Sequence, residues 1–137
     1  MSSMNLEQIK GELLPLKKYD VVLFGSLVTG EWRKGSDIDI AIVTRIRDEK
    51  TNIRILKESL KKVSSKYDIR IFELLPIKVK ASIIENYKVV FGDELEISEY
   101  FYYWRKFWND ISHRISYHRS YKDKLKALER GKKIKKI

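Results

Sequence analysis

Two aspartates, Asp37 and Asp39, stand in the segment Ser36-Asp37-Ile38-Asp39-Ile40-Ala41-Ile42. Ile38, Ile40 and Ile42 alternate with Asp37, Asp39 and Ala41, the period-2 pattern of a strand. On a strand, residues i and i+2 share a face, so two carboxylates project side by side while the isoleucines face a core. Like charges this close repel unless a cation sits between them. Mg²⁺ suits the place, because it takes hard oxygen ligands and keeps waters for substrate phosphates. Upstream, the apolar run Val21–Phe24 ends at Gly25-Ser26, with Gly30 following. A Gly-Ser turn at a strand end lets backbone approach an anion closely, and the N–H groups of the next turn, aided by a helix dipole, point at it. The Ser26 hydroxyl adds a neutral donor, and Ser36 can cap the turn into the aspartate strand. Triphosphate on one side and Mg²⁺ on the other are what a nucleotidyl-transfer site requires.

A third carboxylate completes a two-metal arrangement. Asp68 opens another strand, on a face that also presents Arg70. Glu73 competes, but strand parity groups it with Ile69 and Ile71, towards the core, so Asp68 is preferred. Arg70 has two readings, a phosphate contact or a surface ion pair. Trp32 and Arg33, in the polar loop Glu31–Gly35, either touch a base or acceptor or fill the loop. His113 and His118 are five apart on an expected helix and do not share a face as i, i+4 ligands do.

The elements that must position these residues follow from periodicity. Leu6, Ile9, Leu13 and Leu14 predict a short amphipathic helix over 5–14. Val21–Phe24 reads as a buried strand, Gly25-Ser26 opens a helical turn to about Trp32, and the aspartate strand follows. Residues 51–65 read as a helix with Ile53, Leu56, Leu60 and Val63 on one side. Asp68–Leu75 reads as a third strand. Pro76 ends it and starts a helix through Asn86. Val89–Phe91 is a short fourth strand closed by Gly92-Asp93. From about Ser98 the chain reads as helical almost to the end. Alternating strands and helices imply an α/β (α+β) fold around a small mixed sheet.

The 137 residues fit one domain with a self-sufficient core. No cysteine is present, which excludes disulfides, zinc–cysteine sites and a cysteine nucleophile. There is no Walker loop and no G-x-G-x-x-G. Residues 1–10 lack the pattern of a signal peptide, and no apolar run approaches the ~20 residues of a membrane span, so a cytoplasmic protein is expected. The net charge of +10 is uneven: residues 1–103 carry 17 Lys+Arg and 16 Asp+Glu, residues 104–137 carry 12 and 3. A basic-protein argument therefore concerns the C-terminal quarter alone. There, Phe101, Trp104, Trp108, Ile111, Ile115 and His118 keep 3-4 spacing, and Tyr121, Leu125 and Leu128 resume it. A helix from 98 to about 130 would be about 48 Å long, longer than such a domain is wide. Its apolar stripe calls for a partner, either a second copy or another protein. Its Lys/Arg side suits RNA or an acidic partner, and Lys132-Lys133 and Lys135-Lys136 read equally as a solvated tail.

With these residues in view, the chain resembles a known family. Gly25-Ser26-x3-Gly30-x5-Ser36-Asp37-x-Asp39 resembles the signature of the DNA polymerase β-type nucleotidyltransferase superfamily. The short length and the segment Asp68-Ile-Arg-Ile-Phe-Glu-Leu-Leu-Pro76 resemble its minimal nucleotidyltransferase (MNT) branch. The resemblance covers roughly residues 20–95 and implies a mixed sheet flanked by helices, two Mg²⁺ ions and an NTP, most often ATP. Asp37 and Asp39 would hold both metals. Asp68 would hold the catalytic one and assist deprotonation of an acceptor hydroxyl. Gly25 and Ser26 would hold the β,γ-phosphates, with Ser36 and Arg70 as further nucleotide-binding candidates. Attack on the α-phosphorus would transfer NMP, most often AMP, to a hydroxyl of a protein or small molecule and release pyrophosphate. MNT proteins are also antitoxins of HEPN toxins, which they silence by adding AMP to a tyrosine. The implied organisation is a minimal nucleotidyltransferase domain over 1–97 and a basic, aromatic helical extension over 98–137. Arg114-Ile-Ser-Tyr-His118 departs from the HEPN pattern R-x4–6-H-x-Y, so the chain is not its own HEPN partner. The competing reading is a weak or inactive binding module, acting by complex formation or by RNA binding through the basic tail.

Overall fold

In a computed structural model of the chain, which describes residues 5–113, four strands form one mixed sheet. These are β1 (Asp20–Phe24), β2 (Ile38–Val43), β3 (Tyr67–Ile71) and β4 (Lys88–Phe91), in the order β3-β2-β1-β4. β1 is antiparallel to β2 and β4, whereas β2 and β3 are parallel. Helices α1 (Leu6–Glu12), α2 (Ser26–Thr29), α3 (Glu49–Lys62) and α4 (Ile77–Glu85) are joined by α5, helical over 94–113. A parallel pair needs a crossover, and α3 provides the one between β2 and β3. This is the small mixed sheet flanked by helices that the sequence predicts. No described helix is long and apolar enough to cross a membrane.

Strand parity divides the core between two faces. Val21 and Leu23, with Ile38, Ile40 and Ile42, pack on one face with Ile9 and Leu13, and Leu56 of α3 flanks them. Val22, Ala41 and Val43 occupy the other face with Phe72, Ile83, Ile97 and Phe101. Asp39 and Asp68 belong, by parity, to this second face.

Several boundaries differ from the sequence expectation. β3 stops at Ile71 instead of running to Leu75, because Phe72–Leu74 is a 3₁₀ turn. The turn buries Phe72 completely and stacks its ring on Phe101, with centroids 4.8 Å apart. Pro76 then stands just outside α4 as its N-cap rather than as its first residue. α5 begins at residue 94, ahead of Ser98. Asp93 caps it, its Oδ1 accepting from Glu96 N at 3.0 Å. Ile97 and Phe101 are fully buried, so the first turns of α5 belong to the core, while Trp104, Trp108 and Ile111 are half-buried. His113 is exposed. His118, the Arg114–His118 segment, the stripe from Ile115 onward and the lysine pairs lie outside the described residues.

Candidate active site

Asp39 is the second residue of β2 and lies opposite Phe24 of β1 on one side and Asp68 of β3 on the other. Because β2 and β3 are parallel, the two aspartates are register partners near the starts of their strands and point to the same face. Their carboxyls are close enough to interact. Burial, first, and then the Asp68 charge push the Asp39 carboxyl above its ordinary value, with Asp37 adding and Arg70 opposing.

Gly25 makes this placement feasible. Its φ is +77° and ψ −152°, a region nearly closed to other residues. A Cβ there would lie 2.2 Å from Asp39 Oδ2, so the carboxylate rests where any side chain would stand. The Gly25 carbonyl then accepts from Val28 N and Thr29 N at 3.1 Å, closing the single turn of α2. Gly30, at φ +88°, ends it. A one-turn helix carries little macrodipole. What α2 offers an anion is therefore local, the backbone of the Gly25–Ser26 turn and the Ser26 hydroxyl.

Asp37 precedes β2 rather than lying in it, and is exposed. The loop that delivers it is braced by Trp32, whose Nε1 donates to the Ser36 carbonyl at 3.1 Å, and by Ser36 N donating to the Arg33 carbonyl at 2.9 Å. Trp32 thus fills the loop, and Ser36 serves it through its backbone. Arg70 forks onto Asp68, with Nε to Oδ1 and Nη2 to Oδ2 both at 3.2 Å. The pair is largely exposed and worth at most about 1 kcal/mol.

Glu73 is not part of this group, and the parity argument that turned it towards the core does not hold either. The 3₁₀ turn swings it to the other end of the sheet. There it accepts from Thr44 N (3.0 Å), Thr44 Oγ1 (3.1 Å), Arg45 N (2.8 Å) and the Tyr100 hydroxyl (2.8 Å). Sequence reasoning missed this clamp. Its one local signature is Arg45, a non-glycine residue at φ +59°.

Oxygen donors alone make up the carboxylate site, the set Mg²⁺ takes. Among the described residues no three acidic or imidazole groups stand close enough to form a finished metal cage. The Asp39–Asp68 pair, with Asp37 on the adjoining loop, suits an ion that completes its shell with water and phosphate. A divalent cation between Asp39 and Asp68 would also offset both the burial and the Asp68 charge that raise the Asp39 carboxyl.

A sequence profile of the nucleotidyltransferase domain family matches residues 4–91. A relative named as a proposed protein adenylyltransferase, from Methanocaldococcus jannaschii, is 48% identical over 99 residues, 72% of this chain and 76% of that protein. Among solved structures, a toxin–antitoxin crystal structure with AMP-PNP contains a chain that superimposes with a TM-score of 0.57 at 15% identity, covering 81% of this chain and 92% of that one. The complex of a tri-AMPylated HEPN toxin of Shewanella oneidensis with its MNT antitoxin gives 0.55 at 15% identity, covering 85% and 93%. At that identity the structural likeness is one of fold. The extent of the profile match and the close relative settle the family: this chain belongs to the nucleotidyltransferase domain family and is a nucleotidyl-transfer enzyme.

Proposed function

We propose that the chain transfers AMP from ATP, with Mg²⁺, to a hydroxyl of a protein acceptor, and that this acceptor is a HEPN-type partner. The observation that carries the reading is the Asp39–Asp68 pair, held in register across parallel strands with Asp39 seated against Gly25. The name of the Methanocaldococcus relative and the AMPylated toxin beside its antitoxin support the nucleotide and the acceptor class.

Asp37, Asp39 and Asp68 would hold two Mg²⁺ ions, which when bound supply positive charge to the phosphate oxygens. The Gly25–Ser26 turn and the Ser26 hydroxyl hold the β,γ-phosphates, and Arg70 moves from Asp68 to phosphate. Asp68 takes the proton of the acceptor hydroxyl as its oxygen bonds to the α-phosphorus. The bond from the α-phosphorus to the β-phosphate oxygen breaks, and pyrophosphate leaves.

The test follows label from [α-³²P]ATP into a HEPN-type acceptor alongside pyrophosphate release. Both should fall at least a hundredfold in Asp39→Asn, and equal rates in wild type and variant would refute catalysis at this site. A second reading, complex formation without transfer, is favoured by the exposed apolar side chains of α5, Leu95, Tyr102 and Tyr103. It predicts that Asp39→Asn neutralises the partner as well as wild type does.

A further inference from the structure

On the same sheet face as the carboxylates, but at its other end, a cavity of about 470 Å³ opens between the segment after β2, α4 and α5. Arg45 on its rim is six residue steps along nearly extended chain from Asp39, which places it about 20 Å from the carboxylates. The volume lies in the range of small-molecule pockets, about 300–1,000 Å³.

Lys80, from α4, is its unusual group. It is only 7% exposed, with its ammonium 4.2 Å from the Trp104 ring centroid and 5.8 Å from that of Phe72. Among the described residues it has no hydrogen bond or salt bridge, and an unpaired buried charge is costly. Burial holds its pKa below the ordinary lysine value, with Glu73 opposing. Glu73 is the acid closest to hand, yet its oxygens already accept four hydrogen bonds. Arg45 and Arg47 line the cavity too, so three cations face one fully engaged carboxylate. Arg45 is paired with Asp20, while Arg47 is exposed. The Trp104 indole Nε1 is buried too, with the Tyr100 hydroxyl within its reach. Tyr103 and Phe107 stand edge-to-face with Trp104 and are 63% and 45% exposed, so the cavity carries accessible aromatic surface. Residues 114–137 contain ten Lys+Arg and two Asp+Glu and do not suit this charge.

We propose that this cavity is a second ligand site for a mononucleotide, with the base against Tyr103 and Phe107 and the phosphate on Lys80 and Arg47. A phosphate dianion matches the multiple cations better than a carboxylate does, and a nucleobase stacks on aromatic walls. The site is independent of the transfer chemistry.

The test uses the full chain carrying Asp37→Asn and Asp39→Asn, in EDTA, so that metal-dependent binding at the carboxylates is removed. AMP, adenosine and inorganic phosphate are titrated separately by calorimetry, and the indole N–H signal of Trp104 is followed in ¹⁵N-labelled protein. AMP should move that signal and bind at least tenfold more tightly than adenosine or phosphate. Lys80→Gln should weaken AMP at least tenfold, and the exposed Arg47→Gln at least threefold with an unchanged melting temperature. If Lys80→Gln does not fold, Arg47→Gln decides by the same criterion. An unmoved Trp104 signal, phosphate binding as tightly as AMP, or AMP binding indifferent to these variants would overturn the proposal.

Discussion

A carboxylate resting in the space of an absent Cβ ties two residues to one function. Gly25→Ala drives a methyl into Asp39 Oδ2 and forces a side chain into glycine backbone geometry. We expect a loss of about 1–3 kcal/mol in urea unfolding and at least a hundredfold loss of label transfer. A stable, active Gly25→Ala would show that the carboxylate does not depend on that space. The raised Asp39 carboxyl has a pH consequence. The folded chain holds this proton more tightly than the unfolded chain. Its contribution to stability is therefore whole below the ordinary aspartate value of about 3.9 and is lost as pH rises through the raised folded value. In metal-free thermal melts from about pH 4 to 7, wild type should lose stability relative to Asp39→Asn. Mg²⁺ added at pH 7 should restore wild type alone, by binding the native state. Parallel profiles for the two proteins would contradict this. Asp37 and Asp39 stood out in the sequence because repelling charges at period 2 need a reason, yet Asp37 precedes β2 and the register partner of Asp39 is Asp68. The packing of Asp39 against Gly25 was not legible, since close approach between distant residues leaves no local pattern.

The elements were legible where periodicity was clean. β1 announces itself by an apolar run ending at Gly25, and β2 by isoleucines alternating at period 2. β3 misleads, because Ile69, Ile71 and Glu73 keep a period of 2 past the point where the strand has already turned. The 3₁₀ turn is driven by tertiary packing, the burial of Phe72 against Phe101, which no window around residue 72 contains. The start of α5 was readable in principle, since Asp93 and Glu96 have cap spacing. Glu73 gives the element-scale prediction. It joins the end of β2 to α5 through four hydrogen bonds, so Glu73→Ala should cost about 2–4 kcal/mol in chemical unfolding. Pyrophosphate release per folded molecule should stay near wild type, because the carboxylate pair stands at the opposite end of the sheet. A selective loss of catalysis with unchanged stability would place Glu73 in the chemistry instead.

At the scale of the molecule, residues 1–103 are near-neutral and the basic excess lies in 104–137. The sheet carries the carboxylates, and α5 packs on the core through Ile97, Phe101 and Trp104 while presenting other apolar side chains to solvent. Leu95 and Tyr102 are 69% and 64% exposed. Replacing both by serine should shift stability by no more than about 0.5 kcal/mol each and weaken association with a HEPN-type partner at least tenfold by calorimetry. Unchanged association would remove α5 from that interface. The family could be read from the spacing of six residues, whereas the acceptor could not, since its binding surface is not encoded by the motif that binds the nucleotide. The central claim is tested most directly by label transfer from [α-³²P]ATP with Mg²⁺ to a purified HEPN-type protein. The account predicts acceptor labelling, with stoichiometric pyrophosphate, by wild type and its loss in Asp39→Asn and Asp68→Asn. Labelling that persists undiminished in both variants, or an acceptor that wild type binds and silences without acquiring label, would contradict it.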